Sequence, residues 1–491
     1  MNPIILSLPF ALASAGSIML KSKKKIQTVN LFFAILSGGI LIIQTLPFVF
    51  HLKEEQLSYW WMIDGFSALM VMLVSFVYLA STIVAIRYIG HEYEEEIIDL
   101  RQYKMFFARF QLFALSMIIT VLTNNSLLMW LALEGTTLFS TFLVGLYRKK
   151  TSIEAAWKYM ILCSTGISLG LVGILLLSYG AHVSGVEGND IFLISALMEN
   201  AGIIPENIIK LSFIFLFIGF GTKVGLVPMH TWLPDAHSKA PSPISAIFSA
   251  VLLNVALYAI LRFKFITDSA FSDSGWTDNL FLIFGFLSIV ISALMMLIQV
   301  NYKRMLAYSS IEHMGLILFS LGLSSGGAIF AVMHMIGHTF AKSGLFFAAG
   351  EILIKYKTTK IPKIKNMLSK AKYTSILFIL GILAIVAMPT SALFVSEYGM
   401  FSQTIIQYPK LAIGLLIALG IIAYAMLSLT INMIFAKADD SDLKNENERW
   451  NITHTIIVFE LLILVALSFW FTSGYGVYVI DAIVKDFLFI K

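Results

Sequence analysis

Apolar stretches of about 18 to 25 residues recur from one end of the 491-residue chain to the other, each long enough to cross roughly 30 Å of hydrocarbon as an α-helix. Inside a bilayer no water satisfies the backbone, so a spanning segment is either a helix or part of a closed barrel. The strict apolar–polar alternation of membrane strands is absent. The sequence therefore predicts an all-α polytopic membrane protein. Composition agrees, with 58% hydrophobic and 13% charged residues, whereas soluble domains carry about a quarter charged residues.

About fourteen transmembrane helices are predicted, near residues 3–20, 29–50, 65–88, 108–123, 126–146, 156–180, 208–228, 243–263, 280–300, 306–323, 328–352, 374–400, 410–436 and 454–473. The first apolar run is followed, not preceded, by Lys21, Lys23, Lys24 and Lys25. That order suits an uncleaved span with its N-terminus outside. The basic clusters at 21–25, 87–101, 148–150, 303–304, 355–372 and 437–449 then all fall on the inner side, as the positive-inside rule requires. Because the net charge of +5 is scattered through these loops, no nucleic-acid partner is implied. The lone Cys163 excludes an internal disulfide and any CxxC cluster site, so the chain is expected to hold no cofactor and no metal and to carry no electrons.

Two spans are interrupted. Phe213 to Val227 runs into Pro228, and Ile376 to Met388 runs into Pro389, Thr390 and Ser391. A proline removes one backbone donor and frees a carbonyl a turn earlier, which a membrane tolerates mainly where the break faces protein or water. Lys223 lies just before the first break and Glu397 just after the second. Paired broken helices five spans apart, hence of opposite orientation, suggest an inverted-repeat transporter.

Charges within the apolar spans need a reason, since each costs at least about 2.5 to 3.5 kcal/mol near the bilayer centre. Glu134 lies in LLMWLALEGTTLFSTFLVGL and Lys223 in IFLFIGFGTKVGLVPMH; if they approach, a structural ion pair is the plain alternative to an ion pathway. His334, His338 and Lys342 follow one another at steps of four, which places them on one helical face as a candidate proton relay. Two hydrogen-bonded core histidines and a snorkelling lysine form the competing reading, and metal or haem ligation by the pair lacks supporting ligands. Glu312 and His313 open the tenth span beside Lys303 and Arg304, which suggests an inner-interface position at least as much as a relay. Glu154 and Lys158 read as a solvated i,i+4 pair. GFGTKVG, with no preceding strand, reads as a helix-packing surface, not a nucleotide loop.

The segment KVGLVPMHTWLPDAHSKAPSPISAIFSAVLLNVALYAILRF resembles the antiporter-like proton-pumping subunits of respiratory complex I and of energy-converting membrane-bound hydrogenases. LALEGTTL, NYKRMLAYSSIEHMGLI, HMIGHTFAKSGLFFAAGEI and PTSALFVSEYGMF extend the resemblance over nearly the whole chain. It implies two inverted five-helix repeats, each with one broken helix, within residues 108–265 and 280–437, flanked by N-terminal helices in 1–107 and a last helix with a short tail in 450–491. The family's buried glutamate falls on Glu134, its broken-helix lysine on Lys223 and its exit residue on Glu397, while His334, His338 and Lys342 fall on the connecting polar axis. His230, Asp235, His237, Glu312 and His313 lie within the matching motifs as possible path or gate residues. Where several complex I members place a lysine, this chain has Asn254; a neutral amide cannot store a proton, so water, Tyr258, or His338 and Lys342 would have to bridge the gap.

The resemblance implies a non-catalytic, ion-translocating subunit of an oxidoreductase complex in a bacterial or archaeal cytoplasmic membrane. Its partners would be other membrane and peripheral subunits, lipid, and protons or Na+. SSIEHMG and the short tail favour the hydrogenase-type branch over a complex I subunit proper. A subunit of a multi-subunit Na+/H+ antiporter and a non-transporting membrane scaffold are the rival readings.

Overall fold

The computed structural model describes residues 3–271, 275–436 and 448–488. Its helices are α1 (Pro3–Met19), α2 (Lys23–Val49), α3 (Gly65–Glu94), α4 (Leu100–Leu122), α5 (Ser126–Val144), α6 (Lys150–Val183), α7 (Ile194–Glu199), α8 (Glu206–Val224), α9 (Trp232–Lys239) and α10 (Ser242–Ile247). A π turn, Phe248–Leu252, leads into α11 (Leu253–Ser269). There follow α12 (Gly275–Leu297), α13 (Tyr302–Leu321), α14 (Ser324–Tyr356), α15 (Met367–Lys370), α16 (Lys372–Ile385), α17 (Ala392–Gln407), α18 (Pro409–Phe435), α19 (Ile452–Thr472) and α20 (Gly474–Leu488). A two-stranded antiparallel ribbon, β1 (Gln56–Leu57) and β2 (Met62–Ile63), is the only sheet among the described residues.

Ten of the described helical segments are long and apolar enough to cross a membrane, and each falls on a predicted span. The chain is an integral membrane protein. Helices α13 and α14 are not among the ten, although both are long, because Lys303, Arg304, Glu312 and His313 on the first and His334, His338 and Lys342 on the second dilute their apolar character. They survive in the middle of the protein because other helices, not lipid, cover them: all seven residues except Arg304 are buried. Of the predicted inner loops, residues 437–447 lie outside the described part. The tail after α19, expected to be a short extension, is the helix α20, and its Asp486 accepts a hydrogen bond from the Gly65 amide at the start of α3 (2.9 Å).

Local capping decides where several of these helices begin. Asp64 accepts from the Ser67 amide and Asp99 from the Gln102 amide, each in a reciprocal capping box. Asn301 accepts from the amides of Lys303 and Arg304 and so starts α13 at Tyr302. Glu312 and His313 therefore stand about three turns inside the helix, buried, which corrects the inner-interface position read from the hydropathy pattern.

Both predicted breaks occur, each about one turn sooner than the proline. Helix α8 stops at Val224 because Gly225 takes a left-handed conformation (φ +82°), and the Thr222 carbonyl, left with a long bond from the Gly225 amide (3.2 Å), also accepts from Trp232 Nε1 (2.8 Å). Helix α16 stops at Ile385, and Ser391 Oγ returns to the Ala384 carbonyl (3.0 Å). Each broken end is thus resatisfied within the protein, as a bilayer demands.

Within GFGTKVG, Gly219 is a packing residue, whereas Gly225 serves the left-handed turn that ends α8. A Cβ on Gly219 would come within 2.4 Å of the Gly170 amide nitrogen and 2.7 Å of the Gly166 carbonyl oxygen on α6, contacts with backbone that cannot swing away. Gly219→Ala is expected to cost about 1 to 3 kcal/mol through overpacking and to lower the unfolding midpoint of detergent-purified protein. Gly39→Ala, inside α2 with nothing within 4 Å of its new methyl, should leave it unchanged or slightly raised. Equal midpoints for the two variants would refute the close α6–α8 contact.

Candidate functional site

Lys223 occupies the last turn of α8 and is fully buried. There the negative end of the helix dipole favours an ammonium. Its Nζ donates to Thr137 Oγ1 (2.8 Å) and to Tyr159 Oη (2.7 Å), and lies 4.9 Å from the centre of the Tyr159 ring, an aromatic partner suited to a cation in a dry site. Tyr159 Oη also meets Ser140 Oγ at 2.8 Å. Glu134, half-buried on α5, accepts instead from Ser164 Oγ (2.6 Å), and its other carboxylate oxygen has no partner. Among the described residues no salt bridge joins Lys223 to Glu134, so the structural ion pair considered from the sequence is not made. Hydroxyl groups bind the lysine, and the carboxylate acts on it only through space.

A second polar cluster forms where α13, α14 and α17 meet. His313 Nδ1 and His334 Nε2 are 2.9 Å apart, and His334 Nδ1 is 2.9 Å from Ser396 Oγ. On its other side His313 Nε2 lies 3.3 Å from Glu312 Oε2. Glu397, next to Ser396 on α17, offers a carboxylate oxygen within 4.8 Å of a ring nitrogen of each of these two histidines. The His338 ring centroid is 5.3 Å from that of His313, and neither of its nitrogens has a partner. Lys342 Nζ, one turn further, donates to the Leu306 carbonyl (3.0 Å) and to Ser309 Oγ (2.8 Å). The steps of four on α14 do face one way, and the partners that complete the cluster come from Glu312, His313, Ser396 and Glu397.

The π turn stands between the two clusters. Such a turn leaves helix carbonyls out of register, and side chains take them up: the Ala250 carbonyl accepts from Asn254 Nδ2 (3.0 Å) and from Thr339 Oγ1 (3.1 Å). Asn254 Nδ2 also reaches Thr339 Oγ1 (3.3 Å) on α14, while Asn254 Oδ1 is unpartnered. Asn254 therefore faces a polar contact with the histidine helix. Ser249 Oγ meets Ser310 Oγ at 2.7 Å, beside the serine that holds Lys342. The Phe248 ring packs against both Tyr159 and His237, with each ring centroid 5.7 Å away. It thus touches both the lysine's tyrosine and a buried imidazole whose two nitrogens are unpartnered.

Other expected path residues lie elsewhere. Tyr258 donates to the Val121 carbonyl (2.8 Å) and accepts from Arg262 Nε (2.9 Å). Arg262 in turn pairs with Asp64 in a fully buried ion pair. Tyr258 thus joins α3, α4 and α11 through Asp64, Val121 and Arg262 and, among the described residues, makes no hydrogen bond toward Lys223 or α14. Asp235 is held by Arg304 and lies 3.5 Å from Lys158; Lys158 also makes the exposed pair with Glu154 (2.6 Å) expected for that turn. His230, packed edge-on to Tyr308 (6.3 Å between centroids), has an unpartnered Nδ1.

Several polar groups escaped the sequence reading. Glu460 on α19 is buried, with neither carboxylate oxygen hydrogen-bonded, and its signal, one acid inside IIVFELLILVAL, was the one that singled out Glu134. Tyr159, Thr137 and Ser164 carried no signal, because uncharged hydroxyl residues are ordinary in membrane helices.

A family described as NADH:quinone oxidoreductase/Mrp antiporter, TM, matches residues 123–423. A Hydrogenase-4 component F homolog from Methylacidiphilum infernorum (isolate V4) is 37% identical over 373 residues, which make up 75% of this chain and 78% of that protein. A chain in the structure of the membrane-bound sulfane sulfur reductase (MBS), an archaeal respiratory membrane complex, superposes with a TM-score of 0.85 at 20% identity, over 99% of this chain and 96% of its own. A chain of the Mrp complex from Dietzia sp. DQ12-45-1b superposes at 0.80 with 15% identity, over 99% and 97%. The family match spans both the Lys223 region and the histidine cluster. The chain belongs to the NADH:quinone oxidoreductase/Mrp antiporter family of membrane proteins.

Proposed function

We propose that the chain is a proton-translocating subunit of a membrane-bound redox complex of hydrogenase type, coupling electron transfer in partner subunits to proton movement through its own buried side chains. The observation that carries this reading is the set of protonatable groups placed inside the bundle: Lys223 on its two hydroxyls, His237, Lys342, His338, and the linked His313 and His334 beside Glu312 and Glu397. So many ionisable groups buried inside a bundle of membrane-spanning helices are costly and mark an ion pathway by default. In this reading Lys223 is the carrier, Glu134 modulates it, the histidines and Lys342 form the relay, and Glu397 is the terminal gate. Residues 108–265 and 280–437 act as two oppositely oriented units, each carrying one of the two breaks. The similarity to a hydrogenase-4 component supports an assembly with further membrane and peripheral subunits, and the placing of the basic loops on one side supports a bacterial or archaeal cytoplasmic membrane with the N-terminus outside.

The test is reconstitution of the complex with its native partners in proteoliposomes, driven by its electron donor, with a pH-sensitive dye reporting proton movement. Uncoupler-sensitive, sodium-independent proton movement is expected. Exchange that needs sodium and no electron donor would replace this reading with that of a sodium/proton antiporter subunit. In the same assay Glu134→Gln is expected to impair proton movement several-fold more than Glu134→Asp. The glutamate touches Ser164 and not the lysine, so it acts through charge, which Asp keeps and Gln removes. Equal rates for the two variants would reduce Glu134 to a packing residue.

A further inference from the structure

We propose that His313, His334 and Glu397 form a zinc site, and that Zn2+ bound there interrupts the polar axis. One ligand atom from each of the three lies within 4.8 Å of the others, and two imidazoles with one carboxylate is a recurrent three-ligand zinc set that leaves a fourth position open. The facing ring nitrogens of His313 and His334 stand 2.9 Å apart. Two Zn–N bonds of about 2.0 to 2.1 Å at a tetrahedral angle need about 3.3 Å between those nitrogens, so the rings have to part by a few tenths of an ångström and tilt until both lone pairs point at the ion instead of along the line between them. The three ligands come from three helices, α13, α14 and α17, so the separation is set by packing and not by one flexible loop.

The surroundings fit a metal as well as the ligands do. Metal-bound histidines are held by a second partner on the far ring nitrogen. Here Ser396 Oγ is 2.9 Å from His334 Nδ1, and Glu312 Oε2 stands 3.3 Å from His313 Nε2, close to it but not hydrogen-bonded. Within Glu312 and Glu397 the site also contains two carboxylates, the charge that a divalent cation needs to stay in a low-dielectric interior. Glu397 is the half-buried member of the three.

Zn2+ would take the two ring nitrogens that otherwise share a hydrogen-bonding proton, and that proton would shift to the far nitrogen of its own imidazole, so that both rings bind as neutral ligands. The link between His313 and His334 is then lost. Its consequence for transport rests on the reading given under the proposed function; the binding itself does not.

The experiment uses the purified complex, washed with chelator and titrated with Zn2+ alone. Wild type is expected to bind one added equivalent whose zinc X-ray absorption shows two imidazoles and a carboxylate oxygen. His334→Ala and Glu397→Gln should weaken that binding by at least about 100-fold, and Glu312→Gln by about 10- to 100-fold, the range for loss of an outer partner. Wild-type zinc without imidazole scattering, or undiminished binding in Glu397→Gln, overturns the site even if His334→Ala fails to assemble. Redox-driven proton movement by wild type should stop on loading and return on chelation. Continued movement with zinc bound by these ligands overturns the blocking role. A complex that moves no protons before zinc is added refutes the transport reading and leaves the binding result to stand or fall by the spectra.

Discussion

Replacing Lys223 with alanine is expected to cut redox-driven proton movement to less than about a tenth of the wild-type rate, a loss worth more than about 1.4 kcal/mol in the barrier. Assembly and electron transfer to an artificial acceptor should persist. Removal of the side chain leaves two neutral hydroxyls, Thr137 Oγ1 and Tyr159 Oη, without the ammonium they accept from. Tyr159 keeps its contact with Ser140, and the loss of two charge-assisted hydrogen bonds and of the side chain's packing is offset by removal of a buried charge. Lys223→Arg separates two meanings of the lysine. A guanidinium keeps the positive charge but does not release its proton at any accessible pH. If Lys223 is a carrier, arginine blocks as alanine does; if it serves only as a fixed charge, arginine retains much of the activity. Wild-type proton movement in Lys223→Arg, dye-monitored in proteoliposomes, would remove the carrier role.

The sequence made Lys223, His334, His338 and Lys342 legible for one physical reason: a charged or titratable group inside an apolar run has no cheap explanation. The same rule reached Glu134, and applied consistently it would have reached Glu460. Glu312 and His313 were placed wrongly because hydropathy locates the apolar part of a helix, while the Asn301 cap decides where the helix begins. Both breaks were legible from Pro228 and Pro389, but their edges were set by Gly225 and by the Ser391 return to Ala384, which composition does not reveal. The π turn at Phe248–Leu252 had no counterpart in the pattern of residues. What the sequence could not supply was pairing across the fold. Lys223 and Glu134 looked like natural partners, yet the nearest groups to the lysine are hydroxyls on α5 and α6, chosen by how those helices pack.

Asp64 and Arg262 show the same point with the largest expected effect on stability. They stand 198 positions apart in the chain and meet as an ion pair that is buried on both sides. Asp64 spends one carboxylate oxygen on the Ser67 amide, 2.7 Å away, which starts α3, and the other on the arginine. Arg262 Nε reaches Tyr258 Oη at 2.9 Å, and Arg262 Nη1 has no partner. Asp64→Asn keeps a side chain able to cap the helix but strands the guanidinium, and Arg262→Met strands the carboxylate. Each single change is therefore expected to cost about 3 to 5 kcal/mol, the loss that follows when one member of a buried pair is removed. The double variant buries no charge and should recover most of that loss, because an apolar side chain of similar length fills the arginine's place. Unfolding midpoints and yields of the purified protein, combined in a double-mutant cycle, measure the coupling; additive losses would show that the two charges do not depend on one another. The cycle also decides the place of Tyr258. If the folded double variant still moves protons at the wild-type rate per assembled complex, then Asp64, Arg262 and Tyr258 are an anchor tying α3 and α4 to α11, and the proton route runs past them through the α13–α14 side of the bundle.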